Sequence, residues 1–231
     1  MTRYKVVSVL GAIAITCIMS LPTVQDELLA AAAPPAGVKP TAMIAGEIKI
    51  VLLNHNGEID GFLLADGTRV KFPPHIGASL AAIAKPGQKV SVIGFTGLRT
   101  QFGTAVEGLS VTSAATGQTV IDQPPTGYET RPAASQWLSV TGNVARILVN
   151  PAGSVDGLIM ASGEQVKLPP HIGYLVANAL RERDTITISG PGARTNLGTA
   201  LRASQINLAS GEILTDIDGK PDKKGKKGKK G

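Results

Sequence analysis

The chain has 231 residues, a formal net charge of +6 and one cysteine, which excludes an internal disulfide framework and a thiolate metal site. The charge is not spread evenly: residues 46–122 carry six basic and six acidic side chains, residues 142–218 six and seven, and residues 219–231 seven lysines against one aspartate. The two central stretches are therefore neutral, which argues against a nucleic-acid-binding domain that carries its own phosphate-neutralising charge.

Arg3 and Lys5 begin the chain, followed by a 14-residue uncharged apolar run, Val6 to Met19, and by Ala30 to Ala33. This predicts an export signal over residues 1–33 and a periplasmic or secreted location. The run is too short for a comfortable membrane span, although Asp26 and Glu27 leave an uncleaved anchor as the alternative. The lone cysteine, Cys17, lies inside the run, and Thr16 before it disfavours lipidation. A mature chain without cysteine suits an oxidising compartment. Residues 34–45, from Pro34-Pro35 past Pro40, read as a disordered lead-in.

The body of the chain is a duplication. Lys71-Phe72-Pro73-Pro74-His75-Ile76-Gly77 returns 96 residues later as Lys167-Leu168-Pro169-Pro170-His171-Ile172-Gly173. Gly46, Leu52, Asn54, Gly57, Asp60, Gly61, Gly67, Val70 and Gly94 recur at the same offset, and Arg99-Thr100 and Gly103-Thr104-Ala105 recur at an offset of 95. Residues 46–122 and 142–218 are thus two copies of one module, joined by a proline-rich linker over 123–141 that ends near Trp137. Each copy is expected to fold by itself.

In the first copy, alternation from Ile48 to Leu52 predicts a strand, and Asn54-His55-Asn56-Gly57 a turn. Ile59 to Ala65 predicts a second strand with a bulge or bend at Gly61. Asp66-Gly67 predicts a hairpin turn. Thr68 to Phe72 predicts a third strand, with Val70 and Phe72 on one face and Arg69 and Lys71 on the other. Pro73-Pro74 ends it, and Ile76, Leu80, Ile83 and Ala84 have helical spacing. Lys89 to Phe95 and Thr104 to Val111 complete five strands. The second copy repeats the order, with its helix over about residues 172–181.

Each module is therefore all-β with one short helix. Five strands with a helix between the third and fourth resembles the OB-fold barrel, here twice in tandem, and the chain is similar to small exported bacterial OB-fold proteins. The resemblance implies a ligand face built from the second and third strands and flanked by the loops after strands one and four.

On that face Lys71 and Lys167 are candidate ligand contacts. Arg99-Thr100 and Arg194-Thr195, expected in the loop between strands four and five, are candidates to grip a phosphate, carboxylate or sugar. An arginine there could instead pin the loop to its own barrel, for example to Asp60 or Asp156. His75 and His171 could bind a ligand, or hydrogen-bond free backbone groups at a helix start. Neither has a Cys, His or carboxylate at ligand spacing, so no metal is expected. Asp60 and Asp156 read as turn or bulge residues, and Phe62, Phe72 and Phe102, replaced by leucine in the second copy, read as core. Lys220, Lys223, Lys224, Lys226, Lys227, Lys229 and Lys230 make the 219–231 tail a candidate site for polyanions.

No nucleophile elbow, P-loop, dinucleotide fingerprint or zinc-protease motif is present. The expected function is that of a non-enzymatic exported binding or scaffold protein of the cell envelope, without cofactor, whose tail attaches it loosely to anionic polymers or surfaces. Oligosaccharide or single-stranded nucleic acid on the barrel faces is the alternative partner. A small enzyme or metal carrier centred on Pro-Pro-His is a second alternative.

Overall fold

In the computed structural model, which describes residues 41–123 and 136–215, the first strand β1 runs Thr41–Leu53. It is followed by β2 (Ile59–Leu64) and β3 (Arg69–Lys71). Asp66-Gly67 turns β2 into β3: Gly67 has φ +89°, and the Asp66 carboxylate accepts from the Thr68 N–H at 2.8 Å. Pro73 and Pro74 then stop pairing, because neither can donate to a ladder. A 3₁₀ turn (Pro74–Ile76) leads into α1 (Gly77–Ile83), which buries Leu80 and Ile83. The strands β4 (Lys89–Thr100), β5 (Gly103–Ser113) and β6 (Thr119–Ile121) complete the first unit.

The sheet order is β3-β2-β1-β4-β5-β6, and parallel pairing of β3 with β5 closes the barrel. This is the OB-fold order. Gly61, at φ +152°, sits opposite Lys71, and a Cβ there would lie 2.0 Å from the Val70 carbonyl oxygen. The bend foreseen at this glycine is a close backbone approach that no side chain fits.

The second unit repeats the plan. Its strands are β7 (Gln136–Val149), β8 (Val155–Met160) and β9 (Gln165–Lys167), then α2 (Pro170–Ala179), β10 (Thr185–Thr195), β11 (Gly198–Arg202), β12 (Gln205–Leu208) and β13 (Ile213–Thr215). The order is β11-β9-β8-β7-β10-β12-β13, closed by β11 against β10. Here β11 and β12 together hold the place of β5, and both pair with β10.

Several boundaries differ from expectation. β1 begins at Thr41, inside the stretch read as a lead-in, because residues 41–47 pair with β4 from Phe95 back to Lys89. β7 likewise begins at Gln136, inside the expected linker, paired with Gly192. The short β6 and β13 add an edge strand to each barrel that no sequence signal announced. The export segment, most of the linker and the lysine tail lie outside the described residues. No described helix is long and apolar enough to cross a membrane.

Phe62 and Phe72 pack in the first core with ring centroids 5.9 Å apart, as their replacement by leucine implied. The two cores are distinct clusters, but each takes in one residue of the other unit. Ala105 of the first unit belongs to the apolar cluster of the second, and Ala200 of the second to that of the first.

Candidate functional site

β2 is buried at every position, so both of its faces are covered. Inward, Ile59, Phe62 and Leu64 join the barrel core. Outward, Leu63 joins Leu52, Leu148 and Ile159 in a separate cluster between the barrels. These four are two repeat-equivalent pairs, since Leu52 corresponds to Leu148 and Leu63 to Ile159. The same patch of each copy therefore meets its counterpart across a pseudo-two-fold axis, the isologous arrangement of a symmetric dimer within one chain.

Charges ring this cluster. Lys167 Nζ lies 2.6 Å from Asp60 Oδ2. At the related position Lys71 Nζ lies 3.2 Å from Asp156 Oδ2, and Arg69 Nη1 donates to Asp156 Oδ1. Arg69 is 1% exposed and also donates from Nη1 to the Val149 carbonyl oxygen at 2.9 Å. Its repeat counterpart is Gln165, whose Oε1 accepts from the Leu53 N–H at 2.7 Å and whose Nε2 donates to the Val51 carbonyl oxygen at 2.9 Å. Both side chains stitch the end of the other copy's first strand. Arg146 Nη2 adds a bond to the Gly67 carbonyl oxygen at 2.8 Å, and the Leu98 N–H donates to the Pro151 carbonyl oxygen at 2.9 Å.

Lys71 and Lys167, candidate ligand contacts in the sequence, each hold an aspartate of the opposite barrel. Asp60 and Asp156 are bulge residues, as one of their two readings had it: each is the unpaired residue where the ladder shifts register between Leu52 and Leu53 and between Leu148 and Val149. Each bulge also supplies the acidic half of an inter-barrel ion pair. The face that an OB-fold usually offers to a ligand, strands two and three with the flanking loops, is here covered by the other barrel. The arginines at the far end also differ from expectation. Arg99 and Arg194 lie on β4 and β10 rather than in a loop, and both are exposed. Thr100 and Thr195 close the hairpins beyond them. Thr100 Oγ1 donates to the Gly103 carbonyl oxygen at 3.0 Å and accepts from the Phe102 N–H at 3.1 Å, and Thr195 repeats both bonds at 3.2 and 3.1 Å. Each hairpin reaches the first loop of the other barrel: a Cβ on Gly57 would lie 2.5 Å from Thr195 Cγ2, and one on Gly153 would lie 3.2 Å from Thr100 Cγ2.

His75 bonds not to the free backbone groups of its own helix start but to residues far along the chain. Its Nε2 lies 2.9 Å from the Gln123 carbonyl oxygen and 2.9 Å from Asp122 Oδ1, joining the start of the helical segment to the residues after β6. His171 is half-buried near the start of α2. Among the described residues no three His, Cys, Asp or Glu side chains converge as a metal group would require.

The ion pairs perturb their members. Burial by itself raises the Asp156 carboxyl, but Arg69, Lys71 and Lys167 together outweigh it and hold the group below its ordinary value of 3.8. Burial lowers the Lys167 ammonium, and the attraction of Asp60 does not restore it. His55 is also lowered, by burial first and then by Arg202 and Lys167. For Asp156 the unfolded carboxyl binds its proton at higher pH than the folded one. The stability it contributes is complete above the unfolded value and is lost as pH falls through the folded one. Acid unfolding monitored by circular dichroism is expected to show a loss that begins near pH ~4 in the native chain. That part of the profile is expected to flatten in Asp156→Asn, and an identical profile would contradict the pairing.

The strand order, the closing β3–β5 and β9–β11 pairings and the helix position together make this a tandem OB-fold protein, with the usual ligand faces of the two barrels turned onto each other. No family model matches the chain, and no curated protein matches it. Among the solved structures that align with it are two of the single-stranded DNA binding protein from Thermus aquaticus. The wild-type structure is 15% identical, covers 78% of this chain and 98% of its own, and has a TM-score of 0.26. A deletion mutant is 13% identical, with 79% and 97% covered and a TM-score of 0.23. The fold assignment rests on the chain's own strand order.

Proposed function

We propose that this is a non-enzymatic, exported binding protein whose barrels form one rigid body and whose contact with anionic polymers runs through the lysine tail. The observation that carries the reading is the covering of both OB ligand faces by the inter-barrel contact. Lys71 and Lys167 are neutralised there by Asp156 and Asp60, and Phe62 and Phe72 are enclosed in the core. Among the described residues, strands two and three offer no unpaired lysine and no exposed aromatic ring for a phosphate chain and its bases. The apolar run and small-residue stretch at the N-terminus support a place in the cell envelope.

Single-stranded nucleic acid bound by the barrels is the second reading, favoured by the exposed Arg99 and Arg194 on the two hairpins. One experiment separates the two. Binding of oligo(dT) is followed against salt for the full chain and for a variant ending at residue 218. With all seven tail lysines engaged, the logarithmic salt slope should approach about −5. Truncation is expected to abolish most of the affinity and leave the melting temperature unchanged. Strong binding that survives truncation and falls on Arg99→Ala with Arg194→Ala would establish the second reading instead.

A further inference from the structure

The contact between the barrels leaves two clefts, related by the same pseudo-two-fold axis. Each is walled by the end of one barrel's first loop, by the start of that barrel's helical segment, and by the hairpin tip of the other barrel. The first has a volume of about 390 Å³ and is lined by Thr100, Gln101 and Phe102 from one barrel and by Ser154, Pro170 and Tyr174, among others, from the other. The second has about 280 Å³, with Leu197 at the tip and Glu58, His75 and Ala78 on the opposing wall. Both depend on one glycine. A Cβ on Gly173 would lie 2.0 Å from the Val155 carbonyl oxygen, and one on Gly77 would lie 2.5 Å from that of Ile59. The helix can therefore sit hard against the second strand and leave the cleft open above it.

The two clefts share a frame but not a chemistry. Phe102 in the first corresponds to Leu197 in the second, Tyr174 to Ala78, and Ser154 to Glu58. The first cleft is thus bordered by two aromatic rings, and no Asp, Glu, Lys, Arg or His is among its lining residues. Phe102 is anchored against the second barrel's core, and Tyr174 is 73% exposed with its ring available at the rim. The volume falls within the range of small-molecule sites, about 300–1,000 Å³. An aromatic face next to uncharged hydroxyl and amide groups suits a ligand that has both C–H faces and neutral hydroxyls. A phosphate-bearing or carboxylate-bearing ligand would find no cation there.

We propose that the first cleft is a binding site for a neutral oligosaccharide. One or two sugar rings lie between Tyr174 and Phe102, with ring hydroxyls bonded to the Gln101 amide and the Ser154 and Tyr174 hydroxyls. The second cleft lacks the aromatic pair and does not bind. The site is independent of the lysine tail, so the proposal stands or falls apart from the polyanion reading.

The test uses the full chain and three neutral trisaccharides, maltotriose, cellotriose and chitotriose, by isothermal calorimetry with saturation-transfer NMR. At least one is expected to bind with a dissociation constant tighter than about 10 mM. Tyr174→Ala is expected to weaken it about tenfold or more. Phe102→Leu, which installs the second cleft's own residue and so preserves packing, should also weaken it. Leu197→Ala in the second cleft should leave it unchanged. Three results would overturn the proposal: no binding by any trisaccharide, binding unchanged in Tyr174→Ala with Phe102→Leu, or displacement of the sugar signal by oligo(dT) at the same aromatic residues.

Discussion

Asp156→Ala is expected to destabilise the folded chain by about 3–5 kcal/mol, the penalty of leaving a buried charge without its partner. The stranded group is Arg69, whose side chain is 2% exposed and which cannot shed its proton. Lys71 keeps 32% side-chain exposure and can turn to water. Against a total stability of about 5–15 kcal/mol, a loss of that size brings the protein near its unfolding threshold. The pseudo-symmetric substitution provides the contrast. Asp60→Ala strands Lys167, an amine whose ammonium is already lowered by burial and which can become neutral. With its folded value below its unfolded one, the unfolded chain binds more protons in the window between them, and stability rises with pH there. Losing Asp60 widens that window. Urea midpoints at neutral and alkaline pH should therefore show a deficit for Asp156→Ala that changes little with pH, because its main stranded partner is Arg69 and its pull on Lys167 is weaker than that of Asp60. The deficit for Asp60→Ala should shrink on going alkaline. Equal deficits at both pH values for both variants would refute the assignment of these pairs.

Residues 41–123 and 136–215 produced as separate chains are expected to recombine into a one-to-one complex, and neither is expected to persist as a stable monomer. The sequence suggested that each copy folds alone, and a module of this size is near the lower limit for an independent core. In the structure, Leu52, Leu63, Leu148 and Ile159 form one buried cluster drawn from both copies, with Ile50 packed against it, and Ala105 and Ala200 each join the opposite barrel's core. A lone first copy would expose Leu52, Leu63 and Arg69 together. Because the contact is isologous, each fragment can also pair with itself, Asp60 of one chain meeting Arg69 and Lys71 of another. Analytical ultracentrifugation of each fragment and of the mixture decides this. Monomeric fragments that melt at the temperature of the intact chain would show that the barrels do not depend on each other.

Local signals located most of the barrel. Turn glycines such as Gly67, paired prolines and period-two alternation are consequences of nearby residues, so strand order and helix position could be read directly. Phe62 and Phe72 were legible as core because leucine replaces both in the second copy. The pairing of Arg69 with Asp156 was not legible, since it joins residues far apart in the chain through a fold that must already exist. One signal did point to it. Ile59 to Ala65 carries apolar side chains on both faces, a pattern that marks a strand covered on both sides rather than one facing water. The hairpin arginines were misplaced because the fourth strand of each copy extends beyond its apolar stretch, through Arg99 and Thr100 in the first and through Arg194 and Thr195 in the second. There the pairing is kept by backbone ladders rather than by hydrophobic alternation.

A dimer of identical chains must answer every substitution twice, because any change on one side of the axis appears on the other. Joining the two halves in one polypeptide removes that tie. Arg69 can serve one side while Gln165 serves the other, and Phe102 can stand where its counterpart is Leu197. Tethering therefore lets a symmetric scaffold hold two unlike sites, one half keeping the frame while the other is free to specialise.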